Sequence, residues 1–156
     1  MERYEEAREK AIKQIKIADH ILTMTYPLVN DPKLLKLVMK NIYLAMNNSV
    51  AMLLHYERFY KRIPPFNENF TAMLEKLRPV LQKKNISTDY IIFLNKLNEI
   101  MNKQIESDVE FVRKGKFVFA SRNYDLSYIS TKEIKDYLIK AKLFFKQLTG
   151  SIDGRT

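Results

Sequence analysis

Residues 34–54, LLKLVMKNIYLAMNNSVAMLL, decide the fold. Asp31 is a preferred N-cap residue and Pro32 suits the first helical position, so a helix is predicted to begin there. No proline or glycine follows until Pro64-Pro65. Apolar side chains cover most of the circumference, which is typical of a helix at the centre of a bundle. The stretch therefore predicts one long central helix with other helices packed around it.

One amphipathic helix is predicted before this stretch and another after it. Residues 2–24 carry an apolar stripe that includes three alanines, which let a neighbouring helix approach closely. We expect Pro27 to end this first helix, because the residue before a proline avoids helical geometry. Residues 70–84 form the next helix, which Pro79 is expected to kink or split.

The last third of the chain changes its pattern twice. A fourth helix, capped by Ser87, is predicted to reach Lys114. Residues 116–130 then lose the helical period, and the apolar residues among them resemble a short extended segment. The last helix runs from Ser130 to Gly150, and its first turn has the Ser-x-x-Glu pattern of a capping box.

These elements predict an all-α fold: an up-down bundle of four to five helices with a short irregular or extended segment before the last helix. A chain of 156 residues favours a single domain. We place this domain at residues 1–150 and expect residues 151–156 to be a frayed tail. No run approaches the ~18 apolar residues of a membrane span, so no membrane partner is expected.

Composition excludes several classes of chemistry. The sequence has no cysteine, and its two histidines are too few for a histidine-rich metal site. All three glycines lie at or after position 115, so no phosphate-binding glycine loop precedes them. We expect no cofactor and no metal. The charged N-terminus lacks a signal-peptide core, and with cysteine absent as well we expect a cytoplasmic protein.

The charge balance favours polyanions. The chain carries 27 basic and 18 acidic residues, a formal charge of +9, and residues 113–156 hold ten basic against four acidic residues. A positive field of this kind attracts phosphate backbones. General solubility is the alternative interpretation.

A polar line interrupts the apolar surface of the central helix. Asn41, Asn48 and His55 recur every seven residues, close to two helical turns, and Arg62 continues the line. Polar side chains at such positions must find partners or face water. The line is interpreted as a groove for a ligand or a base edge, as a set of buried amides that fixes helix register, or as an exposed edge. Both His55 and His20 are expected to be structural rather than catalytic.

Basic and aromatic residues are interleaved before the last helix. Cations neutralise phosphates and exposed rings stack on unpaired bases, so this segment predicts an RNA-binding surface. Alternatively, the rings fold inward and cap the end of the bundle. The residues assigned to RNA binding are Arg113, Lys114, Lys116, Arg122, Asn123, Tyr124 and Tyr128.

The stretch RNYDLSYISTKE, residues 122–133, resembles the C-terminal part of HEPN domains. The upstream order is also similar, with an alanine-striped first helix before a long apolar one. The motif covers about fifteen residues, and the layout covers most of the chain. The resemblance implies a dimer-forming bundle with an RNA- or nucleotide-related role, often as a ribonuclease paired with a nucleotidyltransferase.

The resemblance also implies that catalysis is absent. HEPN ribonucleases carry an arginine followed after four to six residues by a histidine, but here Ser127, Tyr128 or Ile129 occupies the histidine position after Arg122. A tyrosine with a pKa near 10 exchanges protons poorly near pH 7. We therefore expect a non-catalytic, HEPN-like RNA- or nucleotide-binding module. The alternative is a structural or regulatory interaction protein, either a homo-oligomer or a nucleotidyltransferase partner.

Overall fold

The computed structural model describes residues 1–106, 110–113, 116–120 and 126–154, with the backbone alone for residues 103–106 and for the strand residues up to 128. Helices dominate the described chain, and the predicted helical bundle is confirmed. The elements in chain order are α1 (Arg3–His20), a π-helical turn (Ile21–Thr25), α2 (Tyr26–Val29), α3 (Pro32–Phe59), α4 (Phe70–Lys83), α5 (Asp89–Glu106), β1 (Glu110–Arg113), β2 (Lys116–Ala120), β3 (Leu126–Ser130) and α6 (Thr131–Ile152).

Helix α3 is the centre of the bundle, as the sequence predicts. The Asp31 carboxylate caps it by accepting a hydrogen bond from the Lys33 backbone N–H at 2.9 Å. Helices α1, α4, α5 and α6 all pack against α3. Its side chains at Leu35, Met39 and Met46 are therefore fully buried. Burial of this kind stabilises the fold by roughly 1.5–3 kcal/mol for each large apolar side chain.

The alanine stripe of α1 faces the inside of the bundle. Ala7, Ala11 and Ala18 are buried, and α1 packs along α3. Small side chains at these positions let the two helix backbones come close together. This close approach decides which polar residues of α1 and α3 become neighbours.

The prediction that Pro27 ends the first helix is wrong. The chain continues through the π-helical turn Ile21–Thr25 into α2, where Pro27 occupies one of the first two helical positions. A proline near a helix start removes no required hydrogen bond, and the wider π turn interrupts the regular ladder just before it. The helical path ends at Asn30, which has a left-handed φ of 56°.

Helix α3 ends at Phe59, short of the predicted Pro64-Pro65 boundary. Lys61 adopts a left-handed φ of 57°, and its N–H bonds to the Arg58 carbonyl at 2.9 Å. The Arg62 N–H bonds to the Glu57 carbonyl at 2.9 Å. These two bonds form a Schellman motif, which terminates the helix without glycine.

Pro79 does not split α4, which is continuous from Phe70 to Lys83. Pro79 lies on an exposed position, so water can reach the carbonyl that the missing proline N–H leaves unpaired. Asn69 caps the helix by accepting a hydrogen bond from the Ala72 N–H at 2.8 Å.

An antiparallel three-stranded sheet, in the order β1-β2-β3, connects α5 to α6. The predicted extended segment is therefore present, but the prediction that the fourth helix reaches Lys114 is wrong, because α5 ends at Glu106. Lys114 itself lies outside the described residues. Phe111 and Val112 belong to β1, opposite Val118 and Phe117 of β2. Aromatic and β-branched residues favour a pleated strand when a partner strand is present.

The capping box of α6 is confirmed. The Ser130 hydroxyl oxygen accepts from the Glu133 N–H at 3.1 Å, and the Glu133 carboxylate accepts from the Ser130 N–H. The helix extends past Gly150 to Ile152, so the first residues of the predicted frayed tail are helical. Arg8 of α1 forms an ion pair with Asp153 at 2.9 Å, which ties this end to the bundle.

Candidate functional site

The residues predicted to bind RNA fall partly on the sheet. Arg113 is the last residue of β1, Lys116 is the first residue of β2, and Tyr128 lies within β3. The other residues of this prediction lie outside the described part of the chain: Lys114, Arg122, Asn123 and Tyr124.

The strand register brings the two described cationic positions to the start of α6. Arg113 is the cross-strand partner of Lys116, and Lys116 is the partner of Ser130, the N-cap of α6. Neighbouring strands lie about 4.8 Å apart, so the three backbones form one short row. The positive end of the α6 dipole, which favours anions, lies at the same edge of the sheet.

The residues of the predicted polar line on α3 have different partners in the structure. Asn41 is buried and donates to the Leu37 carbonyl at 2.9 Å, so it is satisfied within its own helix. Arg62 lies beyond the end of α3 and pairs with Glu57 instead of continuing the line. Asn48 and His55 remain as the members of the line that reach a cleft.

Asn48 joins α3 to α1 and still has free hydrogen-bonding capacity. Its Nδ2 donates to Gln14 Oε1 at 2.9 Å and to the Leu44 carbonyl at 3.1 Å. Within the described residues its Oδ1 accepts no hydrogen bond and is not among the buried unpaired atoms. An amide oxygen of this kind remains available to a donor from a ligand.

His55 is buried and bonded to the loop that follows α3. The ring is buried, its Nε2 pairs with the Glu68 carboxylate, and its centroid lies 4.9 Å from that of Phe66. Glu68 and Phe66 belong to the loop between α3 and α4, so this cluster holds the loop against the bundle. His20 is exposed on α1.

A polar cleft of about 500 Å³ lies between α1 and the start of α4, above α3. Its size is in the range of small-molecule sites. The Tyr43 ring, which also lines the cleft, lies 6.3 Å from the Phe70 ring, and the Tyr43 hydroxyl donates to Asn98 Oδ1 at 2.6 Å. The polar residues that line the cleft are Arg3, Glu6, Lys10, Tyr43, Asn47, Asn48, His55 and Glu68.

Several polar groups in this cleft are unpaired. Across the described ranges, Arg3, Lys10 and Asn47 take part in no hydrogen bond or ion pair. Glu6 lies between the two cations on α1, and Glu68 is held by His55. Among these described residues the cleft therefore offers two unpaired cations and free amide groups, together with the unpaired Glu6 carboxylate and the Glu68 carboxylate that His55 contacts.

A buried ion-pair cluster supports the C-terminal end of α3. The Glu57 carboxylate accepts from Arg62 at 2.5 Å and from Lys84 at 2.9 Å. Burial raises the pKa of this carboxyl, but the hydrogen bonds and positive charges of Arg62 and Lys84 outweigh burial and hold the pKa below its ordinary value of 4.5. The cluster links the loop after α3 to the C-terminal end of α4.

Neither a metal cluster nor a membrane-spanning helix is found in the described ranges. No three histidine, aspartate or glutamate side chains converge there as a metal site would require. No helix in the same ranges combines the length and apolarity needed to cross a bilayer.

No family model, curated protein or solved structure matches the chain. The sequence analysis does not identify the α1 wall of the cleft, which carries Arg3, Glu6 and Lys10. The available signal was the seven-residue spacing of Arg3 and Lys10 on α1, next to the alanine stripe that brings α3 close.

Proposed function

We propose that this protein is a non-catalytic binding module for RNA or a nucleotide. One observation carries the proposal: unpaired Arg3, Lys10 and Asn47 converge in one cleft of about 500 Å³. Cations bind phosphate oxygens through charge-assisted hydrogen bonds. A free carboxamide offers a donor and an acceptor together, the combination that reads the edge of a base.

The chemistry of the cleft favours a single phosphate. Glu6 and Glu68 line the same cleft and partly offset the charge of Arg3 and Lys10, which suits one phosphate better than a longer backbone. The neighbouring Tyr43 and Phe70 rings supply an aromatic wall at the same site. Stacking on such rings contributes roughly 1–3 kcal/mol for each base.

The segment 113–128 is proposed as the second contact, for the phosphates of a longer strand. Its support is the basic and aromatic composition together with the register of Arg113, Lys116 and Ser130. Tyr124 and Tyr128 are assigned to stacking. The absence of cysteine supports a cytoplasmic location for such a complex.

Catalysis is not part of the proposal. The sequence has no histidine after Arg122, where HEPN ribonucleases carry one. His55 is already bonded to the Glu68 carboxylate. A ribonuclease assay that compares the wild type with Arg122→Ala should give equal and negligible rates.

We expect the Lys10→Gln substitution in the cleft to weaken nucleotide binding selectively. We expect AMP to bind about tenfold more weakly, because a charge-assisted hydrogen bond to phosphate is lost. Lys16→Gln is the matched control, since Lys16 lies on the same helix but lines a different surface. Isothermal titration of both variants measures the effect. Equal losses in both variants would refute the assignment.

We expect charge reversal in the segment 113–128 to change the salt dependence of RNA binding. Lys116→Glu with Arg122→Glu should weaken the binding of a single-stranded RNA at least tenfold. The slope of log K against log salt should become shallower by about 1.4, because two phosphate contacts are lost. Lys40→Glu with Arg78→Glu changes charge equally at exposed positions elsewhere. A slope that changes as much in this control as in the test variant would contradict a local site.

Self-association or a nucleotidyltransferase partner is the second candidate function. Ile12 and the partly buried Ile17 of α1 line an apolar groove of about 500 Å³, and Ile21 of the following π-helical turn lies at its base. Leu28, farther along the same path, is 84% exposed. Large exposed apolar groups favour a protein contact. Light scattering that gives a dimer in the wild type and a monomer in Ile17→Lys would support a homodimer.

A further inference from the structure

The outer face of α6 carries exposed apolar side chains that the proposed function does not use. Ile139 is 62% exposed and Leu143 is 47% exposed. They lie four residues apart, so they are neighbours on one side of the helix. The opposite side of α6, with Ile134, Ala141 and Leu148, is buried against the bundle.

Lysines border this apolar pair. At 100° per residue, Lys135, Lys142 and Lys146 lie along one edge of the Ile139–Leu143 line. All three are exposed. Across the described residues Lys135 and Lys146 form no ion pair, whereas Lys142 pairs with Asp19 at the protein surface at 2.8 Å. The edge therefore offers two uncommitted cations and one that is held by a solvent-exposed bridge.

The other edge of the face differs in charge and in structure. Asp136 is exposed there, and Lys140 lies with its Nζ 5.4 Å from the centroid of the Phe93 ring of α5. This lysine is directed to the neighbouring helix. The face is thus asymmetric in net charge: three lysines lie along one edge, whereas the other edge carries Asp136 beside Lys140. Lys132, which is also exposed, lies in line with Ile139 two turns before it.

We propose that this face docks an amphipathic helix of another protein whose exposed edge is acidic. Ile139 and Leu143 would pack against apolar residues that are spaced three or four apart on the partner. Lys135, Lys142 and Lys146 would then face a row of glutamates or aspartates along one side of the partner helix. The asymmetry of the lysines would fix the direction of the docked helix.

The apolar centre distinguishes this partner from the polyanions considered above. Interfaces between proteins place apolar groups at the centre and charges at the rim, which is the arrangement on α6. Phosphate backbones need cations and gain nothing from Ile139. Two apolar side chains also provide too little apolar area to anchor the helix in a bilayer.

Fluorescence anisotropy of the full chain with a designed peptide tests the proposal. The probe is a labelled amphipathic helix of about 20 residues, long enough to be helical, with leucines at core positions and glutamates on the flanks. The wild type should bind it. Ile139→Gln with Leu143→Gln should weaken binding at least tenfold, whereas Leu28→Gln with Val29→Gln, at another exposed apolar site, should change affinity less than twofold.

A second experiment exchanges the charges between the protein and the peptide. Lys135→Glu with Lys146→Glu should lose the glutamate peptide and gain a peptide with lysines in place of the glutamates. Circular dichroism must show an unchanged fold, which is expected because all four substituted positions on α6 are exposed. Lys116→Glu with Arg122→Glu should not affect the peptide, so this test is independent of the RNA proposal.

Three results would overturn the proposal. The first is a glutamate peptide that does not bind, and the second is equal loss in the α6 and Leu28–Val29 variants. The third is that replacement of Ile139 and Leu143 weakens the binding of a single-stranded RNA or of an anionic phosphatidylserine vesicle but leaves the binding of the peptide unchanged.

Discussion

Phe144→Ala is expected to lower the free energy of unfolding by about 3–5 kcal/mol. Phe144 is fully buried on α6, and its ring centroid lies 4.6 Å from that of Tyr90 on α5. Truncation removes the contacts that α6 makes at this point and leaves a cavity that the packed helices cannot fill. Urea unfolding followed by circular dichroism measures the loss.

The adjacent position supplies the control. Leu143→Ala should cost less than about 0.5 kcal/mol, because Leu143 is exposed and its removal creates no cavity. Similar losses at the two positions would mean that the outer face of α6 is covered in solution. An unchanged midpoint in Phe144→Ala would contradict the placement of α6 against the bundle.

Glu57→Gln is expected to destabilise the protein by about 2 kcal/mol at neutral pH. The substitution removes the carboxylate charge that Arg62 and Lys84 both contact. The loss is smaller than for a fully buried pair because the Arg62 side chain is 37% exposed, so water screens its charge.

The same substitution should change the acid dependence of stability. The pKa of Glu57 is lower in the folded state than its ordinary value of 4.5, so the carboxylate stabilises the fold fully above that value. Its contribution disappears as pH falls through the lower folded pKa. The difference between wild type and Glu57→Gln should therefore be large at pH 7 and shrink below pH 4.5. A difference that stays constant on acidification would refute the ion-pair assignment.

The central helix, its N-cap and the N-cap of α6 could be predicted because their causes are local. Asp31 caps α3 through a neighbour two residues away, and the Ser130 capping box closes within three residues. The end of α5 could not be predicted in this way. Val112 fits a helical stripe as well as a strand, and pairing with Phe117 of β2 decides between the two.

The candidate site was only half predictable for a similar reason. The seven-residue spacing of Asn48 and His55 identified the α3 wall of the cleft. The partner of Asn48 is Gln14, which is 34 residues away, and the partner of His55 is Glu68, in a loop without regular structure. Such pairs depend on how α1 and α4 pack on α3. The resemblance to HEPN domains remains a prediction.

The proposed nucleotide cleft and the proposed docking face use separate parts of the bundle. The cleft is formed by α1, α3 and the start of α4, whereas the docking face lies on the outer side of α6. Occupancy of one surface does not block the residues of the other. The two proposals together predict that a nucleotide in the cleft and a helix on α6 can be bound at the same time.

NMR titration of the labelled protein with a short single-stranded adenylate RNA tests the central claim most directly. The side-chain amides of Asn47 and Asn48 report on the cleft, and the backbone amides of residues 113–128 report on the segment. We predict saturable shifts in both groups as RNA is added. The absence of shifts at millimolar RNA, or shifts confined to the exposed residues around Leu28, would contradict a nucleic-acid role.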